Sequence, residues 1–171
     1  MVLTVIGKDK VGLINQISAI VEDCGGNWLK SSFCHLAGQF AGFVEVQLSA
    51  ENCEKLVLTC SELENLQITL APSVYSGDSL SDINLEKSIS LTVTGNDRTG
   101  IVSQITSTLK RFNVNIQEMQ TQCVSAPNWG SLIFTANILI SCKSDIDATD
   151  LKNAIELLAD DLMVEIELGE T

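Results

Sequence analysis

Residues 7–17 read GKDKVGLINQI and residues 95–105 read GNDRTGIVSQI. The likeness is not local. Displaced by 88 residues, the chain aligns with itself without a gap from about residue 2 to residue 30. Leu3, Thr4, Val5, Gly7, Asp9, Gly12, Gln16, Ile17 and Asn27 recur as Leu91, Thr92, Val93, Gly95, Asp97, Gly100, Gln104, Ile105 and Asn115. Lys10 returns as Arg98, and the apolar Leu13, Ile14 and Val21 return as Ile101, Val102 and Leu109. A repeat of this kind restricts the fold to two copies of one small unit.

Each half has the same coarse order. VLTVI and ISLTV read as short apolar strands. A helix follows, with Ile14, Ile17, Val21 and Cys24 stepping by three and four in the first copy and Val102, Ile105, Leu109 and Phe112 in the second. Gly25-Gly26 ends the first helix, and the second stops near Asn113. A strand is then predicted over 27–37 or 115–124. A turn at Gly38-Gln39, or a longer loop around SAPNWG, leads to a strand of period two: Gly42, Val44, Val46 and Leu48 in one half, Leu132, Phe134, Ala136, Ile138 and Ile140 in the other.

A second helix carries the stripe Cys53, Leu56, Val57, Cys60 and Leu63, matched by Leu151, Ala154, Ile155 and Leu158 with Asp147 or Thr149 as cap. The closing strands hold Leu66, Ile68 and Leu70, and Leu162, Val164, Ile166 and Leu168 with Glu165 and Glu167 facing outward. Strand-helix-strand-strand-helix-strand, twice, is the ferredoxin-like βαββαβ arrangement of the α+β class: an antiparallel sheet with both helices on one face. The expected domains are residues 1–72 and 88–171, joined by a polar linker at 73–87. The uncovered sheet faces, with apolar residues such as Phe43 and Leu139, are expected to be buried between the copies, with dimerisation as an addition.

Composition narrows the function. A net charge of −12 repels phosphates and disfavours direct nucleic-acid binding. Trp28 and Trp129 therefore read as packing groups rather than stacking platforms. No run of eighteen apolar residues is present, and the start MVLTVIGKDK lacks signal-peptide features, so a cytoplasmic location is expected. The six cysteines form no C-x-x-C pair and have one histidine, His35, for company; they read as reduced core residues and not as a zinc site. His35 and Cys34 are neighbours on a strand and point to opposite faces, so they do not form a dyad. No nucleophile elbow, phosphate loop, dinucleotide fingerprint or metal-ligand spacing appears, and neither an enzyme nor a cofactor is expected.

The repeated turn is the chemical feature. Gly7 and Gly95 let the strand bend; Gly12 and Gly100 allow close approach at the helix start. Unpaired N–H groups and the helix dipole suit a carboxylate there. Asp9 or Asp97 suits an ammonium, and Asn27 and Asn115 offer a donor and an acceptor near the same edge. A carboxylate site beside an ammonium site describes an α-amino acid. A structural reading stays open: Asp as a cap, glycines serving the turn, Asn ordering a strand entry.

DKVGLI and DRTGIV, followed by Asn in GNWL and VNIQ, resemble the ACT domain signature Asp-Arg-Pro-Gly-(Ile/Leu)-(Val/Leu) with Asn-Ile downstream. The resemblance implies a regulatory βαββαβ module that binds amino acids at the strand-to-helix turn. It nominates Asp9, Val11, Gly12, Leu13 and Asn27, and Asp97, Thr99, Gly100, Ile101 and Asn115, as ligand-site residues. Both copies depart from the signature by lacking its proline, with Val11 and Thr99 in that place, so each turn is less preorganised. Two ACT domains with no further segment are similar to the glycine cleavage system transcriptional repressor family. That likeness implies a glycine-responsive regulator acting on a DNA-binding transcriptional regulator by protein contact. The alternative is an ACT-fold interaction module without a small-molecule ligand.

Overall fold

The structure is a computed structural model and describes residues 1–63, 65–73, 87–125, 131–142, 146–158 and 162–168. The chain divides into two compact units, Met1–Ser79 and Leu80–Thr171. The first contains β1 (Val2–Lys8), α1 (Leu13–Asp23), β2 (Asn27–Leu36), β3 (Gln39–Gln47), α2 (Ala50–Ser61) and β4 (Leu66–Ala71). The second repeats the order as β5 (Lys87–Asn96), α3 (Ile101–Arg111), β6 (Asn115–Ser125), β7 (Leu132–Cys142), α4 (Ala148–Glu156) and β8 (Met163–Leu168). The sheets run β2-β3-β1-β4 and β6-β7-β5-β8, and every pairing is antiparallel. This is the expected α+β, ferredoxin-like architecture.

Alternation along the central strands decides which face is covered. Leu3 and Val5 are fully buried, in register with Val44 and Gly42 on β3 and with Leu70 and Ile68 on β4. Leu13, Ile17 and Val21 of α1 and Leu56 and Cys60 of α2 join them in one core. In the second unit Leu91 and Val93 pack with Ile101, Ile105 and Leu109 of α3 and Leu151 and Ile155 of α4. Both helices of each unit thus lie on one sheet face. Val57, expected in the α2 stripe, is 44% exposed: the buried stripe of α2 is narrower than the pattern.

The helix ends follow the local chemistry. Gly25 takes φ +66° after α1, and its N–H and that of Gly26 close on Glu22 and Val21 carbonyls. Asn113 fills the same place after α3 at φ +54°. The first hairpin turns through Ala37 and Gly38, both at positive φ, one residue earlier than expected. Asp147 caps α4, its carboxylate accepting from the Thr149 N–H at 2.7 Å. The expected linker lies outside the described residues except at its ends, and Lys87 already belongs to β5. Trp129, the SAPNWG loop beyond Ser125, and the side chains of Val164, Glu165, Ile166, Glu167 and Leu168 also lie outside them.

The two copies fill one core position differently. Phe33 is in register with Gly42, and a Cβ on Gly42 would stand 2.2 Å from the Phe33 ring and 2.4 Å from the Ser32 carbonyl. The equivalent pair in the second unit is Thr121 and Ala136. A large residue beside glycine has been exchanged for two of intermediate size. Phe33 is also stacked on Phe40 at 5.0 Å and tilted against Trp28 at 6.1 Å, so it has little freedom to yield.

Gly42→Ala should therefore destabilise the first unit by about 1–3 kcal/mol. Adding Phe33→Thr should relieve the ring contact but not that with the Ser32 carbonyl, so that in a denaturant-melt mutant cycle the two changes together cost less than the sum of the single costs while the double variant stays destabilised. Asp147 offers a second test. Its hydrogen bonds to the Thr149 N–H hold its carboxyl below the usual carboxylate range. A depressed carboxylate stabilises above its unfolded pKa and loses that contribution as pH falls through the folded one. Asp147→Asn should lower Tm near neutrality and flatten the acid limb of the Tm–pH profile.

Candidate functional site: the doubled strand-to-helix turn

The turn is anchored from both sides. Its backbone is tied to the neighbouring hairpin: the Asp9 N–H donates to the Gly38 carbonyl at 3.1 Å, and the Asp97 N–H to the Leu132 carbonyl at 2.8 Å. On the β4 side, a Cβ on Gly7 would meet the Asn65 carbonyl at 2.5 Å, so glycine is needed for that close approach. An open recess of about 540 Å³ lies beside it, lined by Ile6, Gly7, Gln39, Asn65, Leu66 and Gln67.

Gly12 and Gly100 serve a different purpose from the one their position suggests. A Cβ at Gly12 or Gly100 would meet nothing within 4 Å. They are glycine because the backbone is left-handed there, at φ +92° and +86°. This conformation starts the helix without a capping side chain on either α1 or α3. The Gly12 carbonyl accepts from Gln16 at 2.9 Å, and that of Gly100 from Gln104 at 3.0 Å. Leu13 and Ile101 turn into the core and contribute backbone only, while Val11, at the tip, is fully exposed.

Asp9 and Asp97 are not helix caps either. The Asp9 carboxylate lies 3.5 Å from His35 Nε2 at the far end of β2, with both side chains about half exposed. Register makes Cys123 the counterpart of His35: His35 stands opposite Phe40, and Cys123 opposite Phe134. The Cys123 thiol hydrogen-bonds Asp97, and its pKa is raised by desolvation first, then by the Asp97 charge and that bond. Each acidic turn residue thus meets the same strand position, occupied by an imidazole in one copy and a thiol in the other. Sequence reasoning missed both contacts. The signal was topological: β2 runs parallel to β1, which brings its last residues beside the turn.

The same topology places Asn27 and Asn115 elsewhere. Asn27 opens β2 opposite Gln47, level with the beginning of β1, whereas Asp9 follows the end of β1. Six strand steps of about 3.3 Å separate these ends, roughly 20 Å. The expectation that Asn27 shares an edge with the turn of its own unit does not hold, and Asn115 repeats the arrangement in the second unit. Asn115 lines a separate recess of about 290 Å³ with Thr106, Lys110 and Asn113.

The basic residue after the aspartate also differs. Arg98 Nη1 donates to Gln104 Oε1 at 2.6 Å and Nη2 to the Leu158 carbonyl at 3.3 Å, bracing the second turn against α3 and the end of α4. Lys10 is exposed. Two cysteines depart from the expected core role: Cys34 and Cys123 are exposed, Cys53 is half-buried, and Cys24, Cys60 and Cys142 are buried. Burial, assisted by Cys24, pushes the Cys60 thiol up to about 11. Among the described residues no group of His, Cys, Asp and Glu could hold a metal ion, and no helix is long and apolar enough to cross a membrane.

Two outcomes are expected of the turn. Gly12→Ala and Gly100→Ala should each cost about 1–2 kcal/mol in denaturant melts from backbone strain alone. Asp97→Asn removes one of the charges that disfavour the Cys123 thiolate, so peptide-resolved alkylation at neutral pH should run faster at Cys123 and unchanged at Cys34.

Comparison with known proteins matches this geometry to a family. The ACT domain model fits residues 1–70 and again 87–169. A search of curated sequences finds no match. Among solved structures, a protein of unknown function from Galdieria sulphuraria superposes with TM-score 0.80 and 26% identity over 99% of this chain and 97% of that one. A candidate glycine cleavage system transcriptional repressor superposes with TM-score 0.64 and 16% identity over 99% and 96%, which is a likeness of fold. With the motif, the topology and the family model in agreement over both halves, the chain belongs to the ACT domain family and carries two copies of the domain.

Proposed function

We propose that this protein is a non-enzymatic, cytoplasmic regulator that senses a small amino acid, glycine first, and signals by contact with a DNA-binding transcriptional regulator of the glycine cleavage operon. The observation that carries the reading is the doubled turn. In both copies an uncapped helix start lies next to an exposed aspartate. Helix N–H groups take the ligand carboxylate and the aspartate takes the ammonium. The acidic charge of the chain favours a protein partner over DNA. The full-length fold likeness to a candidate glycine cleavage system transcriptional repressor fits a role in transcriptional regulation.

The geometry adds a condition. Asp9 and Asn27 are too far apart within one unit to hold the same amino acid. The turn therefore offers its helix start and its aspartate without the asparagine of the same unit. Around the turn, Ile14 and Leu36 are exposed in the first copy and Val102 and Val124 in the second, an apolar rim suited to being covered. A ligand bound at such a junction changes assembly, which is how binding becomes a signal.

The test is thermal melting against a panel of amino acids at millimolar concentration. Glycine should raise Tm saturably, and Asp9→Ala with Asp97→Ala should abolish the rise without unfolding the protein. A DNA-binding regulator should co-purify in a glycine-dependent way. A flat panel, with a partner captured equally with and without glycine, would support the ligand-free interaction module instead. That second reading draws on His35, which already engages the Asp9 carboxylate.

A further inference from the structure

The chain holds one histidine, and the fold brings it to the carboxylate of the first turn. His35 Nε2 stands 3.5 Å from Asp9 Oδ2, with both side chains about half exposed. Stability does not explain the pair. An ion pair that open to water contributes little to folding, and the second unit builds the same turn with Cys123 in the equivalent place beside Asp97. The exchange matters for charge. Desolvation, the Asp97 charge and the hydrogen bond to Asp97 raise the Cys123 pKa, so this thiol stays protonated at neutral pH. Asp9 instead faces an imidazole, the side chain whose charge changes between about pH 5 and 8. Among the described residues, no other group around His35 is of that kind. Phe40 stands opposite on β3 with Gln39 and Ala41 beside it, the first turn of α1 reads LINQ and carries no charge, and the flanking charges are the exposed Lys8 and Lys10.

We propose that His35 makes the two turns unequal as amino-acid sites: in the first, its imidazolium competes with the ligand's ammonium for the Asp9 carboxylate, whereas in the second the neutral Cys123 thiol leaves the Asp97 charge to the ligand. The inference rests on the reading of the turns as amino-acid sites, and adds that the first is linked to pH. Two effects act together. A protonated His35 neutralises Asp9, and it repels an ammonium arriving at the same spot. Release of the proton to solvent removes both. Binding at the first turn therefore strengthens as pH rises, and by reciprocity a bound ligand lowers the pH at which His35 gives up its proton. Free glycine keeps its ammonium and its carboxylate throughout this range, so the ligand adds no titration of its own. Exposure sets the size of the effect: a half-exposed pair changes affinity about two- to fivefold. The second turn keeps one affinity over the same range. Below neutrality it fills first, and the two converge as His35 becomes neutral.

The test is a glycine titration of the isotope-labelled full chain by NMR, at fixed pH values from about 5.5 to about 7.5. The amide signals of Gly12 and Gly100 report the two turns separately, and the ring signal of the single histidine reports its own protonation. At the first turn the glycine Kd should fall about two- to fivefold across that range, while at the second it should hold constant. Saturating glycine should lower the midpoint of the His35 titration. His35→Cys should make the first turn behave like the second, and Cys123→His should give the second turn a pH dependence. His35→Gln serves as a further neutral variant should the new thiol disturb the turn. Glycine binding at both turns with no pH dependence at the first overturns the inference and leaves the amino-acid reading standing. So does a pH dependence that survives both His35→Cys and His35→Gln. A first turn silent to glycine in the wild type and in both His35 variants, while the second responds, overturns it as well. If neither turn responds, the amino-acid reading itself fails and the inference falls with it.

Discussion

Everything in each unit hangs on the burial of one strand between two others. β1 lies between β3 and β4, and β5 between β7 and β8. Leu3, Val5, Leu91 and Val93 are shut away from water completely. Each faces the helices, so the hydrophobic gain that seats α1 and α2 on the sheet comes from the same residues that set its register. A slip by one residue would place Thr4 and Ile6 inward and lose both. Because β1 is held from two sides, the turn that leaves it leaves from a fixed point. The Asp9 and Asp97 N–H bonds to the neighbouring hairpin then set its direction.

Duplication shows which features this scaffold requires. The left-handed glycine at the helix start, the uncapped first turn and the Asp N–H bond are retained in both copies. What varies is what surrounds them. His35 against Asp9 becomes Cys123 against Asp97; Lys10 in water becomes Arg98 bridging α3 and the end of α4. Phe33 over Gly42 becomes Thr121 over Ala136, a trade of volume between adjacent strands. The two turns share a backbone and differ in their charge environment, so they need not respond alike to a ligand.

Much of the fold was legible in the residues, for reasons that can be named. Ile17 and Val21 step along one helix face, and Val44 and Val46 alternate, because a covered sheet face and a helix stripe demand those periods, whereas Ile14 and Val102, read into the same stripes, are exposed and Leu13 and Ile101 take the core positions instead. Val57 escaped the pattern because α2 presents a narrower stripe to the core than its sequence suggests. The candidate site was legible only in part. Asp9, Gly12 and Leu13 are contiguous, so their proximity is guaranteed. Asn27 was misplaced because nothing local says that a strand following an eleven-residue helix begins at the far end of the sheet.

By itself the sequence determined that there are two units, where their strands and helices run, most of the residues that enter each core, with Ile14, Val57 and Val102 as the exceptions, and that one acidic, glycine-flanked turn occurs in each. Those are consequences of period and of repetition, both written along the chain. Tertiary structure alone decided that His35 and Cys123 meet the turn aspartates and that Asn27 and Asn115 do not. These depend on which strands lie side by side and in what register. Antiparallel pairing joins residues distant in the chain, and the side chains that share a site are chosen by that pairing and not by their spacing.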